Sequence, residues 1–295
     1  MTSMDIGISE REQLAVRFYM GDPAAVQSGI CRGGGQAYNT INALLHPESA
    51  NEEDKIREGR QIVLEDANHL KEYLDIILNV YSAMCKYRDA HLNDTDRVSY
   101  RIDRKSSLDR FIADQGIIAG FFSTCRWGFL SQYAHKKAGI VLLQITRSPG
   151  VPYLDFSDMF GDLYAKPEEA EVLLPYGAVM SRISPVPLTE EEKQIYTDLH
   201  GEPPAGKWEI LVEPGRYQAG STESGMHCWE AAAPETLFWW VTAPEQVQNA
   251  IACLRRISEG GKLSEEMQVF YNAWKRKLQA YIMIRSDEIE RRVSL

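Results

Sequence analysis

Apolar positions along this 295-residue chain follow two periods. From about Ile62 to Tyr87 the period is helical: Leu70, Leu74, Ile77, Tyr81 and Met84 step by fours and threes and lay one apolar stripe along one helix face. From residue 97 it shortens to two. Arg97–Ile102 alternates like a half-buried strand, and Gly116–Ser123 and Gly139–Ile145 read as more buried ones. A stretch rich in Pro, Gly and Asp, Ser148–Pro167, forms a loop before a fourth strand at Ala170–Pro175 and a fifth at Ala178–Ile183. Beyond Pro185 and Pro187, Thr189 and Glu192 make a capping box for a short helix that Gly201 ends. Trp208–Glu213 and Leu237–Val241 look like strands. Thr242 with Glu245 caps a further helix bearing Val247, Ile251 and Leu254, and Gly260-Gly261 ends it. Ser264 opens the last helix, striped by Met267, Phe270, Trp274, Leu278 and Tyr281.

Ahead of these elements, Tyr38–Leu45 reads as a short helix closed by Pro47. Residues 1–35 show little periodicity and end in Arg32-Gly33-Gly34-Gly35, which lacks the lysine and glycine spacing of a phosphate loop and reads as a flexible hinge. Helices, then a block of strands, then a mixed and mainly helical C-terminal region make an α+β fold rather than regular βαβ alternation.

Hydrophobic residues at 44% and charged residues at 25% are globular values. No apolar run approaches the ~18–20 residues of a membrane helix, so no membrane insertion is expected. A net charge of −10 argues against wholesale binding of nucleic acid or of an anionic membrane as the main activity, with room for a local basic patch. Five scattered cysteines, with no histidines at ligand spacing, argue for free thiols in a reducing cytoplasm and against a metal. The N-terminus has no basic start followed by an apolar stretch, so no cleavable secretory signal is expected.

Three features of the strand block stand out together: Tyr100-Arg101 on the first strand, Phe121-Phe122-Ser123-Thr124-Cys125 closing the second, and Glu169-Ala170-Glu171 where loop becomes strand. If extended geometry begins by residue 169, Glu169 and Glu171 point to the same side. Each feature alone is commonplace. In this order they resemble the Arg–Ser–Glu class of mono-ADP-ribosyltransferases, which includes bacterial toxins and effectors. Tyr38–Leu45 is similar to the asparagine-bearing helix that often precedes the core of these enzymes. The pattern departs from the family at Ile102, at Cys125 (in place of a third Ser-Thr-Ser residue) and at Gly120.

The resemblance implies a catalytic domain over residues 36–187, built on a core of two packed β-sheets flanked by helices. An N-terminal extension (1–35) would precede it, and a mixed, mainly helical region (188–295) that could recognise substrate would follow. NAD would be the co-substrate, with no metal, and ADP-ribose would pass to an arginine of a target protein with release of nicotinamide. Glu171 would stabilise the cationic ribose, Ser123 would hold Glu171, and Arg101 would bind the NAD phosphates alongside Ser123 and Thr124. Glu169 would orient and deprotonate the acceptor guanidinium. Phe129 or Tyr133 would stack on nicotinamide, and Tyr164, with Phe160 second, would contact the acceptor. Arg97, Arg104, Lys105 and Arg110 would add local positive potential. A histidine in place of Arg101 would have pointed to the polymerase class. Relatives of this kind include effectors delivered into a host cell by dedicated secretion machinery without a cleavable signal, a route this N-terminus allows. Two alternatives stay open: an NAD glycohydrolase on the same fold, and a catalytically inactive helical interaction scaffold.

The C-terminal region offers no chemistry of its own. His227-Cys228-Trp229 reads as core or turn, since neighbours on a strand face opposite ways, and Phe238-Trp239-Trp240 reads as packing.

Overall fold

The structure, a computed structural model, describes residues 6–33, 37–46, 52–113, 116–127, 139–161, 170–215 and 233–294. It divides into two compact units that interleave in sequence. Residues 1–8 and 84–216 make the first, and 9–83 and 217–295 make the second. The sequence reading divides the chain serially instead, at 35 and 187.

The first unit is the strand block. Its strands are β1 (Val98–Arg104), β2 (Phe122–Cys125), β3 (Ile140–Arg147), β4 (Leu154–Asp155), β5 (Glu171–Leu174), β6 (Val179–Val186) and β7 (Lys207–Glu213). They form one seven-stranded sheet in the order β4-β5-β2-β1-β3-β7-β6, so the expected pair of packed sheets is replaced, among the described residues, by a single hydrogen-bonded one. Only β3 and β7 pair in parallel; the other neighbours are antiparallel. Strand β3 is buried at four consecutive apolar residues, Ile140, Val141, Leu142 and Leu143, and again at Ile145, the pattern of a strand covered on both faces. Helices α6 (Lys105–Ala113), α7 (Phe156–Phe160) and α8 (Glu190–His200) also belong to this unit. On one face, Cys125, Ile140 and Leu142 pack with Tyr196 of α8, and Tyr100, Ile102, Trp127 and Leu188 close around them.

Helix α8 starts as read. Thr189 Oγ1 accepts from Glu192 N–H at 3.1 Å, and Glu192 Oε2 accepts from Thr189 N–H at 2.8 Å. Gly201 ends it at φ 80°. Of the expected strand at Gly116–Ser123 only Phe122 and Ser123 fall in a strand, β2, which continues to Cys125. Gly116 sits at φ 74°, and Ile117 makes only an isolated bridge to Val179.

The second unit is helical: α1 (Glu10–Tyr19), α2 (Pro23–Gln27), α3 (Ala37–Leu45), α4 (Glu52–Gln61), α9 (Pro234–Val241), α10 (Pro244–Ser258) and α11 (Glu265–Val293), with the part of α5 (Ala67–Ala90) up to Ala83. Residues 1–35 therefore hold two helices that the sequence reading lacks. Ser9 and Glu12 cap the first in a reciprocal box, and the Asp22 carboxylate accepts from Ala24 and Ala25 at the start of the second. Arg32 is no hinge residue either, because its guanidinium pairs with Glu65, Asp66 and Glu72. The supposed strand Leu237–Val241 is helix α9: Leu237 and Val241, four apart, bury the same face, and Pro234 starts the helix. The second capping box is also absent. Ala243 is the N-cap of α10, and the Thr242 hydroxyl donates back to Phe238 O at 2.7 Å. Ser264 caps α11 as expected, and Trp274, Leu278 and Tyr281 are buried along it. Trp239, expected to pack, is 70% exposed. No helix among the described residues is long and apolar enough to cross a membrane.

Candidate functional site

Strand pairing brings the three motif segments side by side. Tyr100 of β1 is opposite Cys125 of β2, Cys125 is opposite Glu171 of β5, and Ser123 is opposite Leu173. Strands β1 and β3 pair over seven positions, Val98 to Arg104, whereas β1 and β2 meet only at Tyr100↔Cys125. Past that point the two strands part. A cleft of about 360 Å³ opens there, lined by Arg101, Asp103, Arg104, Ser107, Ser123 and Thr124 among others, a volume in the range of small-molecule pockets.

Arg101 bridges the parting strands. Its Nη1 donates to the Ser123 carbonyl at 2.7 Å, its Nε donates to Asp103 Oδ2 at 2.8 Å, and its guanidinium lies 4.5 Å from the centre of the Phe122 ring. Asp103 also accepts from Arg104 N–H at 2.8 Å and from the Ser107 side chain. Burial works to raise the Asp103 carboxyl, yet the Arg101 charge and these hydrogen bonds hold it below the usual carboxylate range. Asp103 and Ser107 are not among the residues that the motif pattern singles out. An Arg-x-Asp spacing on a strand, which puts both side chains on one face, was the available signal.

Thr124 is buried, and its hydroxyl donates to Val172 O at 2.7 Å, tying β2 to β5 beside the cleft. Cys125 takes the third position of the Ser-Thr-Cys segment directly opposite Glu171. Its thiol is pushed up to about 12, chiefly by burial; Arg101 opposes that rise and Glu171 adds to it. At neutral pH it is a protonated core thiol rather than a nucleophile.

Glu171 is half-buried at the first position of β5. Ala170, just before it, has φ 38°, the only positive φ of a non-glycine residue among those described, and its carbonyl accepts from Arg126 N–H at 3.2 Å. Extended geometry therefore begins at 171, so the condition that would put Glu169 and Glu171 on one side is not met. Glu169, Tyr164, Phe129 and Tyr133 lie outside the described residues. Phe160, on α7, faces Phe156 at a ring distance of 6.4 Å.

Of the basic residues around Arg101, Arg104 lines the cleft and has no ion-pair partner among the described residues. Arg97 instead donates to the carbonyls of Asp94 and Leu92, and Lys105 pairs with Asp109.

In the helical unit the fold gathers Cys31, His69 and Glu72, whose ligand atoms lie within 4.8 Å of one another, although their sequence spacing gives no such signal. Both His69 nitrogens are engaged: Nδ1 takes Glu65 N–H at 3.3 Å and Nε2 lies 2.7 Å from Arg32 O. Both ring nitrogens are thus occupied by backbone groups, which suits a structural imidazole rather than a metal ligand.

The chain matches no family model and no curated protein sequence.

Proposed function

We propose that the protein is an NAD-dependent mono-ADP-ribosyltransferase that transfers ADP-ribose to an arginine side chain of a target protein and releases nicotinamide. One observation carries this reading. Arg101, Ser123 and Glu171, far apart in sequence, sit on the consecutive neighbours β1, β2 and β5; Arg101 and Ser123 line the cleft that opens where β1 leaves β2, and Glu171 lies opposite Cys125, another residue of its lining.

The chemistry asks little else of the protein. Breaking the nicotinamide–ribose bond builds positive charge on the ribose, as in glycoside hydrolysis. The Glu171 carboxylate stabilises that charge, and it does so most strongly away from bulk water, which its half-buried position favours. Ser123 lies two residues along β2 from the partner of Glu171 and shares its side of the sheet, so its hydroxyl can steer the carboxylate. Arg101 presents a permanent, planar charge to the diphosphate, with Arg104 beside it. Glu169 would orient the acceptor guanidinium and take its proton as the new bond to ribose forms.

The test is incubation with labelled NAD and a cell lysate, comparing wild type with Glu171→Gln, followed by mass spectrometry of labelled proteins. Label on arginine, lost in the variant, is the expected result. Nicotinamide release without label would replace the transferase with a glycohydrolase. Neither label nor nicotinamide would overturn the enzymatic reading in favour of an inactive scaffold.

A further inference from the structure

Strand alternation poses a problem at Arg101. Residues paired across antiparallel neighbours point to the same side, so Tyr100, Cys125, Ser123 and Glu171 share one side of the sheet. Arg101, next along β1 from Tyr100, starts from the other side, where its guanidinium meets the Phe122 ring. A long arginine side chain there would sample many rotamers, and ordering it on ligand binding would cost entropy. Instead it is already held at two points.

Nε is fixed by Asp103, two residues along the same strand and therefore on the same side. Nη1 is fixed by the carbonyl of Ser123 across the gap. Asp103 is itself held by Arg104 N–H and the Ser107 side chain, so the clamp does not rest on one flexible contact. A guanidinium has five N–H donors in a rigid fork. Among the described residues Asp103 and Ser123 take one each, which leaves donors on both Nη atoms beside the cleft.

We propose that Asp103, braced by Ser107, is a positioning residue that pre-sets the Arg101 guanidinium so that its remaining Nη donors form a ready fork for a diphosphate group in the cleft. The ligand's identity rests on the ADP-ribosyltransferase reading; the clamp rests on the geometry alone. Asp103 carries the same sign of charge as the ligand, so simple Coulomb attraction makes it a hindrance, whereas positioning makes it a requirement. The two views predict opposite signs.

The experiment uses ADP as the probe, with affinity measured by isothermal titration calorimetry on the full chain. Wild type, Asp103→Ala, Asp103→Asn, Arg101→Ala and the Asp103→Ala/Arg101→Ala double variant are compared, each first shown to unfold at a similar temperature. Asp103→Ala is expected to weaken ADP at least about tenfold despite removing a negative charge. Asp103→Asn, which keeps one acceptor for Nε, should fall between it and wild type. In the Arg101→Ala background Asp103→Ala should have no further effect, which separates positioning from a general structural role. Unchanged or tighter ADP binding by Asp103→Ala overturns the proposal, as does additivity of the two substitutions or failure of wild type to bind ADP. Nicotinamide release from NAD is measured in parallel. Its absence from wild type, with the ADP cycle as expected, sinks the transferase reading and leaves the clamp standing. Nicotinamide release with an ADP affinity indifferent to Asp103 does the reverse.

Discussion

Glu192 does two jobs with its two oxygens, and separating them predicts a specific order of stabilities. Oε2 closes the capping box on Thr189 N–H at 2.8 Å, and Oε1 accepts from Lys207 Nζ of β7 at 2.5 Å, with both side chains nearly buried. In Glu192→Ala the box is lost, at about 1 kcal/mol. Lys207 is also left buried without a counter-charge, which costs about 3–5 kcal/mol more. Against a typical total of about 5–15 kcal/mol, a loss of this size brings the unit close to unfolding. Glu192→Gln is the sharper probe. An amide has one acceptor oxygen where the carboxylate offers two, so either the Thr189 N–H or Lys207 must go unsatisfied, at about 2–4 kcal/mol. Adding Lys207→Met removes the stranded cation and lets the amide oxygen serve the box alone. The Glu192→Gln/Lys207→Met pair should therefore recover to within about 1 kcal/mol of wild type. Urea unfolding followed by tryptophan fluorescence gives the ranking. Hydrogen exchange at α8 amides assigns it to this unit, because two compact units need not unfold together. A double variant no more stable than Glu192→Gln alone would refute the assignment of the loss to Lys207.

Three further outcomes are expected, the first from the proposed function and the other two from the structure. On the proposed function, Glu171→Gln should lower the rate of nicotinamide release by about 10²–10³-fold while ADP affinity stays within about threefold, since the carboxylate would act on charge that exists only in the transition state; equal losses in both would place Glu171 in ground-state binding. Gly116→Ala should lower the thermal midpoint by at least about 4 °C in calorimetry, because φ 74° disfavours a side chain and the new Cβ would meet Met180 O at 2.5 Å; an unchanged midpoint would contradict that backbone. The third concerns acid. Burial works to raise the Asp94 carboxyl, but Asp96 N–H, the Tyr153 hydroxyl and Arg147 hold it below its ordinary value, as Arg101 does for Asp103. A depressed folded-state pKa gives stability that is complete above the unfolded value of about 3.9 and is lost as pH falls through the folded value. Urea midpoints should thus be flat from pH 7 to about 5 and drop below about 4, with a shallower drop in Asp94→Asn. An acid limb identical in that variant would remove Asp94 from the account.

How far each element could be read from the chain depends on how local its causes are. The start of α8 was legible because a capping box is closed within four residues, whereas its tie to Lys207 crosses to another element and leaves no local trace. Helix α9 was misread because Leu-Phe-Trp-Trp-Val is rich in strand-favouring residues; Pro234 and the burial of Leu237 and Val241 on one face decide for helix. Helix α4 buries only Glu58 and Gly59, so it offered no apolar stripe to read. In the three motif segments, Arg101, Ser123 and Glu171 are picked out by resemblance to known motifs. Their adjacency depends on β2 lying between β1 and β5, a pairing that no local pattern encodes. Asp103 stood in plain view two residues from Arg101 and was missed because acidic residues are common in this chain.

Ala170 gives the middle letter of Glu-Ala-Glu a meaning that a pattern written with a wildcard conceals. At φ 38°, with 3% of its surface exposed and its carbonyl engaged by Arg126 N–H, this position admits few amino acids. A branched or bulky side chain would be strained there, whereas glycine would relax the turn and asparagine could adopt it. Sequence variation at residue 170 is thereby filtered by backbone conformation before chemistry is consulted. A chain carrying valine or isoleucine between two such glutamates would match the motif in letters yet could not enter β5 by this turn.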